Sequence, residues 1–404
     1  MQKWIVLAAG VILQTLLGGV YAWSVFTPAL TSDYGLSNAQ CGLIFGVTIA
    51  TFSVATVPAG RLLGVLGARI LASIGVCLFA TGYLVASLSQ GHFPLLLLGI
   101  GIIAGVGIGT AYVCPLSVCM QWFPKHRGLV TGLAVAGFGG GAVLLSSAAK
   151  HLLHADTRNV LQVFQLIGIG YGAVALIAAL LLCAPGSKTA TSYAGKQQLA
   201  GSDGVLSLPF LLLCIGMFAG TFAGLLIAGN LTPLIEAAGF PGRIATLAIS
   251  VFAFGNASGR IAWGHIHDRL NSHATILLSL GLLAIALLPL LFVMPTVIML
   301  VAIWCCGCGF GACFVVYAMA VVQKFGIERF PCLYPVCFLG YGLAGLIAPG
   351  LGGSIADATG SYTAALTLSL VVVVAAMLII ALAAKVRVSM WATPQSSMAD
   401  CLQS

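Results

Sequence analysis

An all-α membrane protein of twelve spanning helices, arranged as two similar six-helix halves, is the fold that the sequence predicts. Three observations predict it. Of 404 residues, 60% are apolar and 6% charged, against roughly a quarter charged in soluble domains. Apolar stretches of about 20 residues, the length that crosses a bilayer, recur twelve times along the chain. The first half of the chain is also echoed by the second at a separation of about 202–204 residues.

The spans are expected at 4–29, 38–60, 70–90, 94–121, 128–149, 160–183, 207–232, 244–264, 274–293, 295–322, 333–355 and 362–384. Glycine recurs inside them, as in Gly105-x-Gly107-x-Gly109, because small residues let membrane helices approach closely. The first span is expected to be retained rather than cleaved as a signal peptide, being too long and ending in bulky residues. One long polar stretch, 184–206, divides a first half (1–183) from a second (207–384), which a tail (385–404) follows.

The loops predict an orientation. With the N-terminus inside, twelve of the sixteen Lys and Arg residues fall in inner segments: Lys3, Arg61, Arg69, Lys125, Arg127, Lys188, Lys196, Arg269, Lys324, Arg329, Lys385 and Arg387. The outer side holds Lys150, Arg158 and Arg243. Cytoplasmic loops carry such an excess, so both termini are expected in the cytoplasm of a cell-membrane protein. The net charge of +8 then reflects topology and contact with the lipid bilayer, and implies no nucleic-acid partner.

The repeat is legible in particular residues. Gly107-x-Gly109 is echoed by Gly309-x-Gly311, Gln121-Trp122-Phe123 by Gln323-Lys324-Phe325, Arg127 by Arg329 and Gly60 by Gly264. Transporters are commonly built from such internal repeats, with the substrate held near the midplane between them.

Arg260 is the one formal charge that the spans place inside a hydrophobic helix. A cation near mid-membrane costs about 2.5–3.5 kcal/mol on insertion scales and marks a functional site by default. No Asp or Glu lies in a span to neutralise it, so the simplest counter-ion is an anionic substrate. The bland alternative is that Arg260 snorkels to the inner surface, about two turns away. Asn256, one turn earlier on the same helix face, argues for an interior polar surface instead. Tyr112, Tyr341 and Tyr21 are candidate partners for a carboxylate, since a phenol in hydrocarbon needs a partner for its hydroxyl. Tyr341 lies at about the depth of Arg260. Gln14 and Tyr317 are weaker candidates, and Phe338 is a candidate apolar wall. Structural bonding to backbone carbonyls remains open for each tyrosine.

Other chemistries find little support. Most of the thirteen cysteines lie in spans, where Cys behaves as a small apolar residue. The densest group, Cys305-Cys306-x-Cys308, has no nearby His or carboxylate to complete a metal site. Gly105-x-Gly107-x-Gly109 lies inside a hydrophobic helix rather than after a strand, so it is no dinucleotide fingerprint. No nucleophile–base pair is visible at membrane depth. No cofactor, no metal and no enzymatic activity are expected.

Three motifs point to a family. Pro58-Ala59-Gly60-Arg61-Leu62 through Gly67-Ala68-Arg69 resembles the loop between helices 2 and 3 of the major facilitator superfamily, with Gly64 where that loop has an acid. The second copy, Gly264-His265-Ile266-His267-Asp268-Arg269, keeps the acid. Gly18-Gly19-Val20-Tyr21-Ala22-Trp23-Ser24-Val25-Phe26, Trp122-Phe123-Pro124-Lys125-His126-Arg127-Gly128 and Gly259-Arg260-Ile261-Ala262-Trp263-Gly264 resemble the oxalate–formate antiporter family, which includes lactate-type monocarboxylate carriers.

The resemblance implies that an arginine of helix 8, here Arg260, binds the substrate carboxylate. Relatives that carry oxalate add a lysine in helix 11, where this chain has Tyr341. One cation compensates one carboxylate, while a dianion would bury a second, uncompensated charge. A lactate- or pyruvate-like monocarboxylate is therefore the expected cargo, carried by a monomer. Proton symport is favoured, and exchange of one anion for another stays open; a non-transporting sensor is the minor alternative. Asp268, Arg269 and Arg61, with Arg69, are expected to form a gate at the inner end, and His265 and His267 are read as loop residues.

Overall fold

Asn38–Ser87 is one stretch of 50 residues that is helical almost throughout. A straight helix of that length would extend about 75 Å, more than twice the ~30 Å hydrocarbon core. The run breaks at Gly67, whose φ of 76° and ψ of 161° leave the helical region. Only glycine enters that conformation without strain. The run is therefore two spans, α2 (38–66) and α3 (68–87), as the sequence predicts.

The computed structural model describes residues 2–154, 159–185, 207–292 and 294–386. The remaining spans are α1 (Gln2–Leu17), α4 (Phe93–Trp122), α5 (Arg127–His154), α6 (Val160–Leu181), α7 (Leu208–Ala237), α8 (Gly242–His267), α9 (Ser272–Leu290), α10 (Thr296–Phe325), α11 (Phe330–Thr359) and α12 (Thr363–Val386). No strand occurs among the described residues. Of the polar stretch 184–206, only residues 184 and 185 are described, and the tail beyond 386 also lies outside the described residues. Caps set several starts: Ser37 and Gln40 form a capping box at α2, and Asn159 and Gln162 form another at α6.

Helix α1 departs from the expected continuous span. It tightens into a 3₁₀ segment, Gly18–Val25, and a short separate helix, Thr27–Tyr34, follows. Gly18 packs so close to the Phe138 carbonyl of α5 that a β-carbon there would overlap it. Two successive glycines, each favouring helix poorly, permit the tighter winding. Helix α4 departs in the opposite sense, widening to a π-helical turn over Leu97–Ala104. Thr48 and Thr51 of α2 set their hydroxyls 3.3 Å and 2.6 Å from the Ile100 and Gly101 carbonyls of that turn.

The sequence repeat reappears as repeated packing. Gly105 and Gly109 of α4 abut the Thr48 and Phe52 carbonyls of α2, while Gly307 and Gly311 of α10 abut those of Phe252 and Asn256 in α8. Phe52 in the first half thus takes the place of Asn256 in the second.

The halves meet along two seams, α2 with α11 and α5 with α8. Near the end of the bundle that carries Arg61, Arg127 and Arg269, Gly60 lies against the Pro331 carbonyl. That carbonyl lacks its usual helical donor, because the residue four positions on is Pro335. Across the other seam, Gly128 and Gly264 lie against each other's carbonyls. Deeper in, the Ser53 hydroxyl donates to the Phe338 carbonyl at 2.9 Å.

Candidate substrate site

Arg260 does not snorkel. Its side chain is 0% exposed, held at mid-bundle on the face of α8 that meets α5. Nε donates to Asn256 Oδ1 at 3.0 Å, the one-turn pairing that the spacing predicts. Nη1 crosses between halves to donate to the Val135 carbonyl of α5 at 2.5 Å. The guanidinium carbon stands 4.4 Å from the centroid of the Phe314 ring, a contact that reaches about 2 kcal/mol when desolvated. Gly139 makes room: a β-carbon there would sit 3.5 Å from the guanidinium carbon. Nη2 has no partner. An unsatisfied buried donor costs about 1–3 kcal/mol, more when charged, so Nη2 is an open position for an acceptor.

Aromatic rings close around this cation. Phe52, Tyr112, Phe138, Phe314, Phe338 and Tyr341 are buried, and their centroids form a chain of contacts between 5.0 and 6.2 Å. The Tyr112 hydroxyl is buried, beside the Tyr334 hydroxyl and within electrostatic reach of Arg260. Tyr341 bonds through its hydroxyl to Tyr21. Phe338 forms part of the wall, stacked on Tyr112 with centroids 5.2 Å apart. Gln14 is also buried; its Nε2 donates to the Tyr112 carbonyl at 3.0 Å, and its Oε1 is unpaired. Tyr317 faces elsewhere. Its unpaired hydroxyl points at Gly216 of α7, inside the second half, and the structure does not bring it to Arg260.

Four contributors escaped the sequence reading: the Val135 carbonyl, Gly139, Phe138 and Phe314. The repeat carried a signal for Phe314, since the spacing that pairs Gly109 with Gly311 also pairs Tyr112 with Phe314.

The gate is built differently from the expectation. Asp268 makes no ion pair with Arg61 or Arg69 among the described residues. Its two oxygens accept from the backbone N–H groups of Gly128 and Leu129, at 2.8 and 3.0 Å, at the start of α5. A helix N-terminus presents free N–H groups and partial positive charge, so it receives a carboxylate well. Arg61 stands near Cys332 on the other seam, and Arg269 is exposed. His265 and His267 belong to the last turn of α8 rather than to a loop; His267 is buried and bonded to the Ser272 hydroxyl at 3.0 Å. Replacing Asp268 with Asn removes the charge and one acceptor, so the α5/α8 seam should loosen by about 1 kcal/mol. Cysteine probes placed at that end should react several-fold faster, and an unchanged rate would count against this contact as a gate.

Comparison with known proteins agrees with this architecture. Residues 7–330 match the Major Facilitator Superfamily. The uncharacterized MFS-type transporter YhjX of Escherichia coli K12 is 25% identical over 357 residues, covering 85% of this chain and 86% of its own. The oxalate:formate antiporter of Oxalobacter formigenes is 25% identical over 298 residues (71% and 68%), and human monocarboxylate transporter 11 is 28% identical over 304 residues (71% and 62%). The crystal structure of the transporter FucP in its outward conformation superposes with a TM-score of 0.70 at 17% identity, covering 94% of this chain and 99% of that one. The chain therefore belongs to the Major Facilitator Superfamily, and it is a multi-pass membrane transporter rather than an enzyme.

Proposed function

We propose that this chain carries small monocarboxylates of the lactate and pyruvate type by alternating access, with a proton as the co-transported ion. One observation carries the reading: a fully buried Arg260 with one η-amino group lacking a hydrogen bond and, among the described residues, no carboxylate to neutralise it. An incoming carboxylate supplies the missing charge, one oxygen taking Nη2 and the same group reaching the Tyr112 hydroxyl. Charge-assisted bonds of this kind are the strong ones. The surrounding rings suit a short apolar tail and leave no second cation for a dianion. The similarity to the oxalate:formate antiporter and to monocarboxylate transporter 11 supports the cargo class, and Tyr341, standing where oxalate carriers have a lysine, favours one carboxyl group over two.

The proton follows from the same inventory. With no acid beside Arg260, the proton travels with the carboxylate. The excess of Lys and Arg at the end where Gly60, Gly128 and Asp268 close the seams supports that end as cytoplasmic. The purified monomer in proteoliposomes tests the reading. Labelled lactate or pyruvate should enter faster under an inward proton gradient, and a protonophore should abolish the gain. Preference for oxalate, or stimulation by internal anion with indifference to the protonophore, would replace symport with exchange.

A further inference from the structure

Tyr21 and Tyr341 come from opposite halves, yet their hydroxyls bond each other. Tyr341 is buried on α11, and Phe314, Phe338 and Phe52 all pack against its ring. Tyr21 is the partly exposed member of the group; Arg260, Asn256, Tyr112, Phe138, Phe314, Phe338 and Tyr341 are buried. Its hydroxyl is also within electrostatic reach of Arg260. The Tyr21 hydroxyl thus joins Tyr341 and Arg260 on the one ring of the group that keeps an exposed edge.

The two partners differ in how firmly they are held. Tyr341 sits near the middle of a continuous helix of 30 residues. Tyr21 stands on the 3₁₀ segment Gly18–Val25, which two glycines open and a separate short helix follows. Three-ten winding has poorer hydrogen-bond geometry than an α-helix, and a stretch of it in mid-helix often marks a hinge. Besides the Tyr341 hydroxyl, Tyr21 meets the Arg260 guanidinium through its own hydroxyl and Phe138 through an edge contact at 5.5 Å.

We propose that the Tyr21–Tyr341 hydroxyl pair is a clasp between the halves that closes the empty site, and that it must part at the 3₁₀ segment before a carboxylate can reach Arg260. This rests on the reading of Arg260 as the cargo anchor. It adds a role for the two tyrosines that substrate contact does not require, namely holding the empty carrier shut.

Hydrogen–deuterium exchange on the substrate-free, full-length protein tests the clasp. Tyr21→Phe and Tyr341→Phe each delete one oxygen and break the same bond, so either variant reports on it should the other fail to fold. Both should speed amide exchange in Gly18–Val25 by about fivefold, the worth of one net hydrogen bond, while α9 exchanges as in the wild type. The double variant should be no faster than Tyr21→Phe, because that substitution already removes every bond of the Tyr21 hydroxyl, the one to Tyr341 included. Unchanged exchange in the single variants overturns the clasp, and so do effects that multiply in the double. No cargo is present in this measurement, so a failure of lactate uptake would sink the transport reading and leave the clasp standing.

Discussion

Arg260→Lys is expected to weaken lactate binding by at least about 30-fold, and Arg260→Ala to leave uptake at the background of empty liposomes. The guanidinium serves three neighbours from three edges: Asn256 through Nε, the Val135 carbonyl through Nη1, and the Phe314 ring through its face. That leaves Nη2 without a hydrogen-bond partner, the position proposed for the carboxylate. An ammonium is a compact point charge without the planar fork. A lysine that reaches the carboxylate abandons the Val135 carbonyl, and one that keeps the carbonyl abandons the carboxylate. Breaking one partner of a buried charge pair costs about 2–5 kcal/mol, and the lower figure sets the factor of 30. Calorimetric titration of lactate into the purified variant measures it. Wild-type affinity in Arg260→Lys would mean that charge without geometry suffices. Wild-type flux in Arg260→Ala would remove the cation from transport altogether.

Gly60→Ala is expected to slow transport at least about fivefold by holding α2 away from α11. A β-carbon at Gly60 would occupy the position of the Pro331 carbonyl oxygen, and the ring of Pro335 blocks the nearest retreat. Both obstacles are backbone or ring atoms that no rotamer change moves aside. Overpacking of this kind costs about 1–3 kcal/mol. Set against a two-state carrier, that cost shifts the population of the form closed at this end by about 5–150-fold. Gly140→Ala provides the control, since nothing lies within 4 Å of the β-carbon it would add. Spin labels across the α2/α11 seam should report a longer distance in Gly60→Ala and the wild-type distance in Gly140→Ala. Equal distances in all three proteins would show that the seam tolerates the extra methyl.

Sequence is most telling where one residue type forces one arrangement. A charge in a hydrophobic run with an amide one turn away has few outcomes, and the Arg260–Asn256 bond is the one the spacing describes. Gly67 divides two spans because no bilayer holds the full length of Asn38–Ser87. Sequence is less telling where backbone does the work. The Val135 carbonyl carries no residue signature, and the α5 amides that bind Asp268 would serve with any side chain attached. The acid at 268 invited arginine partners because charge is visible in sequence, whereas a helix end is visible only once the helices are placed. Tyr317 shows a related difficulty: it follows Phe314 by three residues on α10, yet its hydroxyl faces α7. Helical spacing gave no means of ranking these two positions before the packing was known.

The widened turn of α4 bears on how such a carrier rocks. Carbonyls that leave an α-helical ladder usually find water or bend the helix; here Thr48 and Thr51 reach them from the neighbouring α2. Sliding α2 along α4 would strand those oxygens in hydrocarbon, where an unmet polar group costs several kcal/mol. The two helices are thus stitched into one plank, and tilting between inward and outward access falls to the glycine-lined boundaries with the other bundle.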